Sequence, residues 1–225
     1  TAYDINPLAQ KYAELKLAGM RQLDYKDFLK VFLYETSDTL KYEIIKSLEL
    51  EQEISDYWIT ELKRHNNNGL ELRKSILFNT KYFNPASKIK QNLYLDEENY
   101  QKTREKLSSI NINYINTDIK DLKLSSSYDY MFLSNISDYL NQMFTNNYLE
   151  KYANLLNQFS VENIYFAYLY DIYNKTPRSI IDNISEVKKV FRNMQIEQFD
   201  TALENANEDA HDAVLILKKR WLYEK

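Results

Sequence analysis

Cysteine is absent from the chain, which excludes disulfides, thiolate catalysis and zinc–cysteine centres. Glycine occurs twice, at Gly19 and Gly69, and proline three times, at Pro7, Pro85 and Pro177. So little punctuation argues for long regular elements and excludes a glycine-rich phosphate loop within these residues. There is no excess of positive charge: 29 lysines and arginines stand against 33 acids, for a net charge of -4. Neither a nucleic-acid footprint nor a polybasic membrane anchor fits that balance. No stretch approaches the roughly 18 apolar residues of a transmembrane segment, and no basic region precedes an apolar run as in a signal peptide. The expectation is a cytoplasmic protein.

What the chain does have is 44% hydrophobic residues and 20 tyrosines in 225 positions. That is enough for a single domain spanning residues 1–225, with room for an insertion. Ala2, Tyr3 and Ile5 read as a short strand bearing Asp4 near its end, followed by Asn6 at a helix N-cap and Pro7 at the first helical position. Leu8, Tyr12, Leu15 and Met20 give that helix its apolar stripe. Asp24 suits a second cap, before Phe28, Val31 and Phe32. Helical periodicity runs through 36–65, with Ile44, Leu48, Ile54, Trp58 and Leu62 on the buried face, and ends at Asn66-Asn67-Asn68-Gly69. A further helix is expected over 70–78, then a loop at Asn84-Pro85 and a helix from Asp96 to about Ser108. Residues near 35–95 thus form a helical insertion or lid.

Beyond Ser108 strands and helices alternate: strands at 112–115, 128–133 and 163–170, helices at 146–159 and 184–193. This predicts an α/β fold with a doubly wound, mostly parallel sheet. Two closing strands, 195–199 and 213–217, have only a polar connection between them, which predicts an antiparallel terminal hairpin.

Three segments fall at the carboxyl ends of strands, where such sheets bind ligands. Asp4 with Asn6 can accept ribose hydroxyls or cap the next helix. Asp118, followed by Ile119, can accept from an adenine amine or close a strand-to-helix turn. Ser134, Asn135, Asp138 and Tyr139 bring four polar groups directly after a buried run, either as a site or as helix caps. The histidines carry less: His65 suits a helix C-terminus, and His211 sits in an acidic loop between Asp209 and Asp212. No metal site is expected. Tyr165, Tyr168, Tyr170 and Tyr173 suit the core, the rim or a pocket wall.

D-I-N-P-L-A-Q-K-Y-A-E-L-K-L-A-G-M-R-Q-L-D-Y-K-D-F-L (residues 4–29) and L-S-N-I-S-D-Y-L (residues 133–140) together resemble a known family. These are the BtaA-like S-adenosylmethionine:diacylglycerol 3-amino-3-carboxypropyltransferases, of the class I methyltransferase fold. The resemblance implies S-adenosylmethionine as cofactor, with Asp4 and Asn6 at the ribose, Asp118 and the backbone of Ile119 at the adenine, and Ser134 with Asn135 at the methionine part. It implies that Asp138 and Tyr139 face the acceptor, Asp138 taking its proton, and that the acceptor is a small molecule or a lipid. The group moved is aminocarboxypropyl or methyl. The resemblance also implies a first strand and cofactor-binding turn ahead of Thr1, between the strand ending at Asp4 and the one ending at Ser134. That strand is expected from upstream sequence or a separate chain. The alternative reading is a non-catalytic binding module that keeps the fold. Oligomeric state is not readable from the sequence.

Overall fold

A strand and a helix are joined at the N-terminus by two side-chain caps, and the first half of the fold is built on that joint. The computed structural model describes residues 1–33, 38–64, 92–134, 136, 147–167, 170–171, 176–177, 180, 184–202 and 211–219. They form two compact units, Thr1–Leu122 and Lys123–Lys225.

In the first unit, strand β1 (Ala2–Asp4) leads into helix α1 (Pro7–Gln22). Asn6 is the N-cap: its side-chain oxygen accepts the Leu8 N–H at 3.0 Å, and Pro7, which has no N–H to satisfy, opens the helix. Helix α2 (Tyr25–Phe32) starts the same way, with Asp24 accepting the Asp27 N–H at 2.8 Å, and Phe28, Leu29, Val31 and Phe32 are its buried face. The single long helix expected over 36–65 is instead two, α3 (Asp38–Ser47) and α4 (Gln52–Arg64). The break has no glycine or proline. It is made by Gln22 of α1, whose amide donates to Glu49 O at 3.0 Å and accepts from Glu49 N at 2.7 Å. Those bonds hold residue 49 as a partner strand would, so it cannot continue the helix. Ile44, Leu48, Ile54, Trp58 and Leu62 are buried as expected.

A short 3-10 turn (Leu93–Leu95) precedes helix α5 (Glu97–Ser109), capped by Asp96 on Asn99 N–H at 3.1 Å. Tyr100 of α5 enters the core against Phe28, 5.1 Å between ring centres, and Tyr25, 5.5 Å. Strand β2 (Tyr114–Asn116) pairs parallel with β1, Asp4 opposite Asn116. The helix expected over 70–78, the loop at Asn84-Pro85 and His65 all lie outside the described residues.

The second unit has a four-stranded sheet. Strand β3 (Tyr128–Leu133) pairs parallel with β4 (Val161–Phe166), after helix α6 (Tyr148–Leu156). A two-stranded ladder of β5 (Tyr170–Asp171) and β6 (Thr176–Pro177) and helix α7 (Ile184–Val190) follow. Strands β7 (Met194–Ala202) and β8 (His211–Lys219) form the expected antiparallel hairpin, giving the order β3-β4-β8-β7. Met131, Leu133, Ile164, Phe166, Leu215 and Leu217 are buried on one sheet face, where Tyr152 of α6 meets Phe166 edge-on at 6.0 Å.

The fold is therefore mixed α/β. The expected single, mostly parallel sheet differs from what is found: among the described residues β1 pairs only with β2 and β3 only with β4, and β4–β8 and β8–β7 are antiparallel. No strand among them hydrogen-bonds the two parallel pairs into one sheet, and the longest ladder is the β7–β8 hairpin, with nine residue pairs.

Two stability predictions follow from the first unit's core. A Cβ on Gly19 of α1 would stand 2.7 Å from Cε2 of Phe32, whose ring is buried and packed 4.6 Å from that of Phe28. Alanine gains about 1 kcal/mol in helix propensity, but overpacking costs about 1–3 kcal/mol. Gly19→Ala should therefore lower stability to urea, and in a Phe32→Leu background the same change should become neutral or stabilising. The second concerns Tyr100. Its hydroxyl donates to Leu23 O at 3.0 Å and Met20 O at 3.3 Å, and burial, moderated by Arg104 and reinforced by Asp24, pushes its pKa up to about 12. The folded value is raised, so the unfolded chain ionises first, and this group's contribution is complete below pH 10 and lost as pH rises toward 12. Tyr100→Phe should cost about 0.5–1.5 kcal/mol at pH 8, with the gap to wild type narrowing between pH 10 and 12 in urea melts.

Candidate functional site

The carboxyl ends of β1 and β2 lie side by side, and two of the sequence-predicted carboxylates stand there. Asp4 ends β1. Its backbone oxygen accepts from Thr117 N and from the Asn116 amide, both at 3.0 Å, which ties the two strand ends together. Its carboxylate Oδ1 accepts the Asn6 N–H at 2.7 Å, a turn that holds the side chain at the start of α1. The residue is exposed beside the N-terminal end of a 16-residue helix, where negative charge is favoured. Beneath it Tyr3 is half-buried, and burial, with Asp4 adding to it, drives its hydroxyl pKa strongly upward, so that hydroxyl stays neutral.

Asp118 follows β2 by two residues. Its Oδ1 accepts the Lys120 N–H at 3.0 Å and its Oδ2 lies 3.2 Å from Lys120 Nζ. The carboxylate is thus oriented by the turn, and Lys120 neutralises part of its charge. Ile119 has its side chain buried, which fixes the position of its backbone in that turn. Asn6 is committed to the cap through its side-chain oxygen. Burial pushes the Tyr114 hydroxyl pKa upward; Glu14 reinforces the shift and Arg21 opposes it.

Ser134 is exposed at the end of β3 in the second unit, where Leu133 O accepts the Ala167 N–H at 2.9 Å. Asn135, Asp138 and Tyr139 lie outside the described residues, and the side chain of His211 does too. So the structure brings Asp4 and Asp118 together with Asn6 and Ile119. One residue was misplaced by sequence reasoning. The sequence reads Ile5 as part of the first strand, but the strand ends at Asp4 and Ile5 stands 66% exposed beside the carboxylate. A large apolar side chain between an acidic strand end and an Asn-Pro helix start was the available signal: neither strand nor helix has a buried place for it.

No family model matches the chain, and no curated protein matches its sequence. Among solved structures the chain is similar to the N-methyltransferase NodS from Bradyrhizobium japonicum WM9, in complex with S-adenosyl-L-homocysteine, at 10% identity and a TM-score of 0.36. That match covers 55% of this chain and spans 61% of the NodS chain. Among the described residues no helix is long and apolar enough to cross a membrane.

The cap geometry separates the two readings of Asn6. Asn6→Ala removes the acceptor for Leu8 N–H and should cost about 0.5–2 kcal/mol, whereas Asn6→Ser keeps an acceptor and should melt within a few tenths of wild type. Should an adenosine-type ligand bind, unchanged affinity in Asn6→Ser would leave the residue a cap alone, and a selective loss would assign its amide to the ligand.

Proposed function

We propose that the protein is an S-adenosylmethionine-dependent transferase that moves a 3-amino-3-carboxypropyl or methyl group to a small-molecule or lipid acceptor. The observation that supports this reading is the pair Asp4 and Asp118 at the ends of neighbouring parallel strands. In that position one carboxylate accepts ribose hydroxyls and the other an exocyclic amine. Asp4 is exposed, and the turn to Asn6 uses one of its two oxygens, leaving the other for the first task. Asp118, with the N–H of Ile119, serves the adenine edge, and Ile5 offers an apolar surface to the base. Ser134 and Asn135 take the methionine part, and Asp138 and Tyr139 the acceptor, by their places in the family pattern.

S-adenosylmethionine supplies an activated carbon on a sulfonium, so the residues have little acid–base work beyond positioning and removal of one acceptor proton. Asp138 is assigned that proton and Tyr139 the shape of the acceptor pocket.

Titration calorimetry with S-adenosylmethionine is the test, and absence of any binding would favour the non-catalytic module. Asp4→Ala should weaken binding by about 1–3 kcal/mol, roughly five- to 150-fold, and should cost the free protein only the turn to Asn6 N–H, about 0.5–1.5 kcal/mol. A large loss of stability at unchanged affinity would make Asp4 a structural turn residue. Asp138→Asn should leave affinity intact and lower turnover about a hundredfold or more. The by-product names the group moved: methylthioadenosine for aminocarboxypropyl, S-adenosylhomocysteine for methyl.

A further inference from the structure

Where the C-terminal ends of α1 and α5 meet, a groove of about 880 Å³ opens, with Arg21, Gln101, Arg104, Glu105, Ile110 and Asn111 among its walls. Arg21 reaches across to the end of α5, donating from Nε to Leu107 O at 3.3 Å and from Nη2 to Ile110 O at 3.0 Å. Arg104 returns the contact, Nε to Arg21 O at 3.1 Å. Both guanidiniums are therefore anchored on backbone carbonyls, and neither has a carboxylate within ion-pair distance among the described residues. An arginine carries five N–H donors, so these bonds leave three on Arg21 and four on Arg104. Finishing the two helix ends accounts for the smaller part of what the pair can donate. The bonded carbonyls are also the negative ends of the helices, which the guanidiniums cover.

We propose that this groove binds a phosphate monoester carried by a small soluble molecule. A carboxylate fills one guanidinium fork, whereas the three terminal oxygens of a phosphate monoester can accept from both. Gln101 and Asn111 are exposed and add neutral amide donors, and Ile110, 48% exposed, offers an apolar contact to the ligand's carbon skeleton. Glu105 on the same wall opposes negative charge, which favours one phosphate over a polyanion. Helix α5 carries three acids, Glu97, Glu98 and Glu105, against Lys102, Arg104 and Lys106, so it has no extended positive field for a membrane or a nucleic acid. The walls belong to α1, α5 and the segment entering β2, and β2 lies on the opposite edge of β1 from the place expected for the upstream strand. Arg21 stands about 20 Å along α1 from the helix start beside Asp4. The groove is thus a second site, apart from the transferase reading. A ligand held from α1 by Arg21 and from α5 by Arg104 bridges the two helices and stabilises the first unit on binding.

The test titrates phenyl phosphate into the full chain at low salt, against benzoate, which has the same ring and a planar single charge. Phenyl phosphate should bind about fivefold tighter than benzoate or better, shift the Nε–H resonances of Arg21 and Arg104, and raise the melting temperature. Glu105→Gln should tighten phenyl phosphate about threefold, the effect of one nearby charge in water-like surroundings. Gln101→Glu/Asn111→Asp changes two exposed side chains and leaves the bonds between the helices intact, and should weaken it about tenfold. Arginines that serve the helix ends alone predict no binding, or equal binding of the two probes with no response to Glu105→Gln. Either result, or resonance shifts confined to other residues, would overturn the proposal. So would binding to vesicles of phosphatidylcholine and phosphatidic acid with none to phenyl phosphate, because the phosphate would then be a lipid headgroup.

Discussion

The C-terminal end of α1 is the constraint on which the first unit depends. A helix leaves its last carbonyls without partners, and here distant side chains satisfy most of them. Gly19 O takes Leu23 N–H locally, at 2.9 Å. Met20 O and Leu23 O take the Tyr100 hydroxyl, and Arg21 O takes Arg104 Nε at 3.1 Å. Arg21 in turn donates to Leu107 O at 3.3 Å and Ile110 O at 3.0 Å, where α5 ends. Each helix thus finishes the other's hydrogen bonding, and Gln22 adds the break between α3 and α4. Losing one of these contacts leaves a polar group unpaired at a packed junction, which costs more than the bond itself contributes. The β1–β2 pair that carries Asp4 and Asp118 flanks α1 and α5 in sequence, so the position of the two carboxylates depends on this junction.

The second unit is organised differently. Its stability rests on one buried sheet face, and its long β7–β8 hairpin supplies local, antiparallel pairing of nine residue pairs. Parallel strands are ordinarily packed on both faces, and on β3 the side chains of Tyr130 and Phe132 are exposed. Exposed aromatic rings in a cluster carry a free-energy cost that scattered ones do not, since together they keep a contiguous apolar area in water.

Local chemistry was legible in the sequence. Asn6-Pro7, Asp24 and Asp96 marked three helix starts because a cap is a contact between residues two or three apart, and each is found with its hydrogen bond in place. The terminal hairpin was legible from the want of an amphipathic segment between its strands. The break before α4 was not, because it is made by Gln22, 27 residues away, on residues with good helix propensity. The division into separate ladders was not legible either, since strand order depends on contacts that no single segment encodes. Of the candidate site, the places of Asp4 and Asp118 after two strands could be read from the sequence, but not that those strands are neighbours. The ion pair of Asp118 with Lys120 could not, because a lysine two residues on is as readily solvated as paired.

Asp4 illustrates why a cap and a ligand group are not competing assignments. A carboxylate has two oxygens, and a turn to the next-but-one N–H uses one of them in one direction. The effect is to restrict the side chain's rotation while the residue stays exposed. A ligand that accepts this geometry does not have to supply the ordering entropy on binding, which for a rotamer-rich polar side chain is about 0.5–1.5 kcal/mol. The same bond partly discharges the α1 N-terminus, so the helix is stable before any ligand arrives. A structural role for Oδ1 is thus compatible with the proposed binding role for Oδ2, and the sequence Asp-x-Asn-Pro fits both.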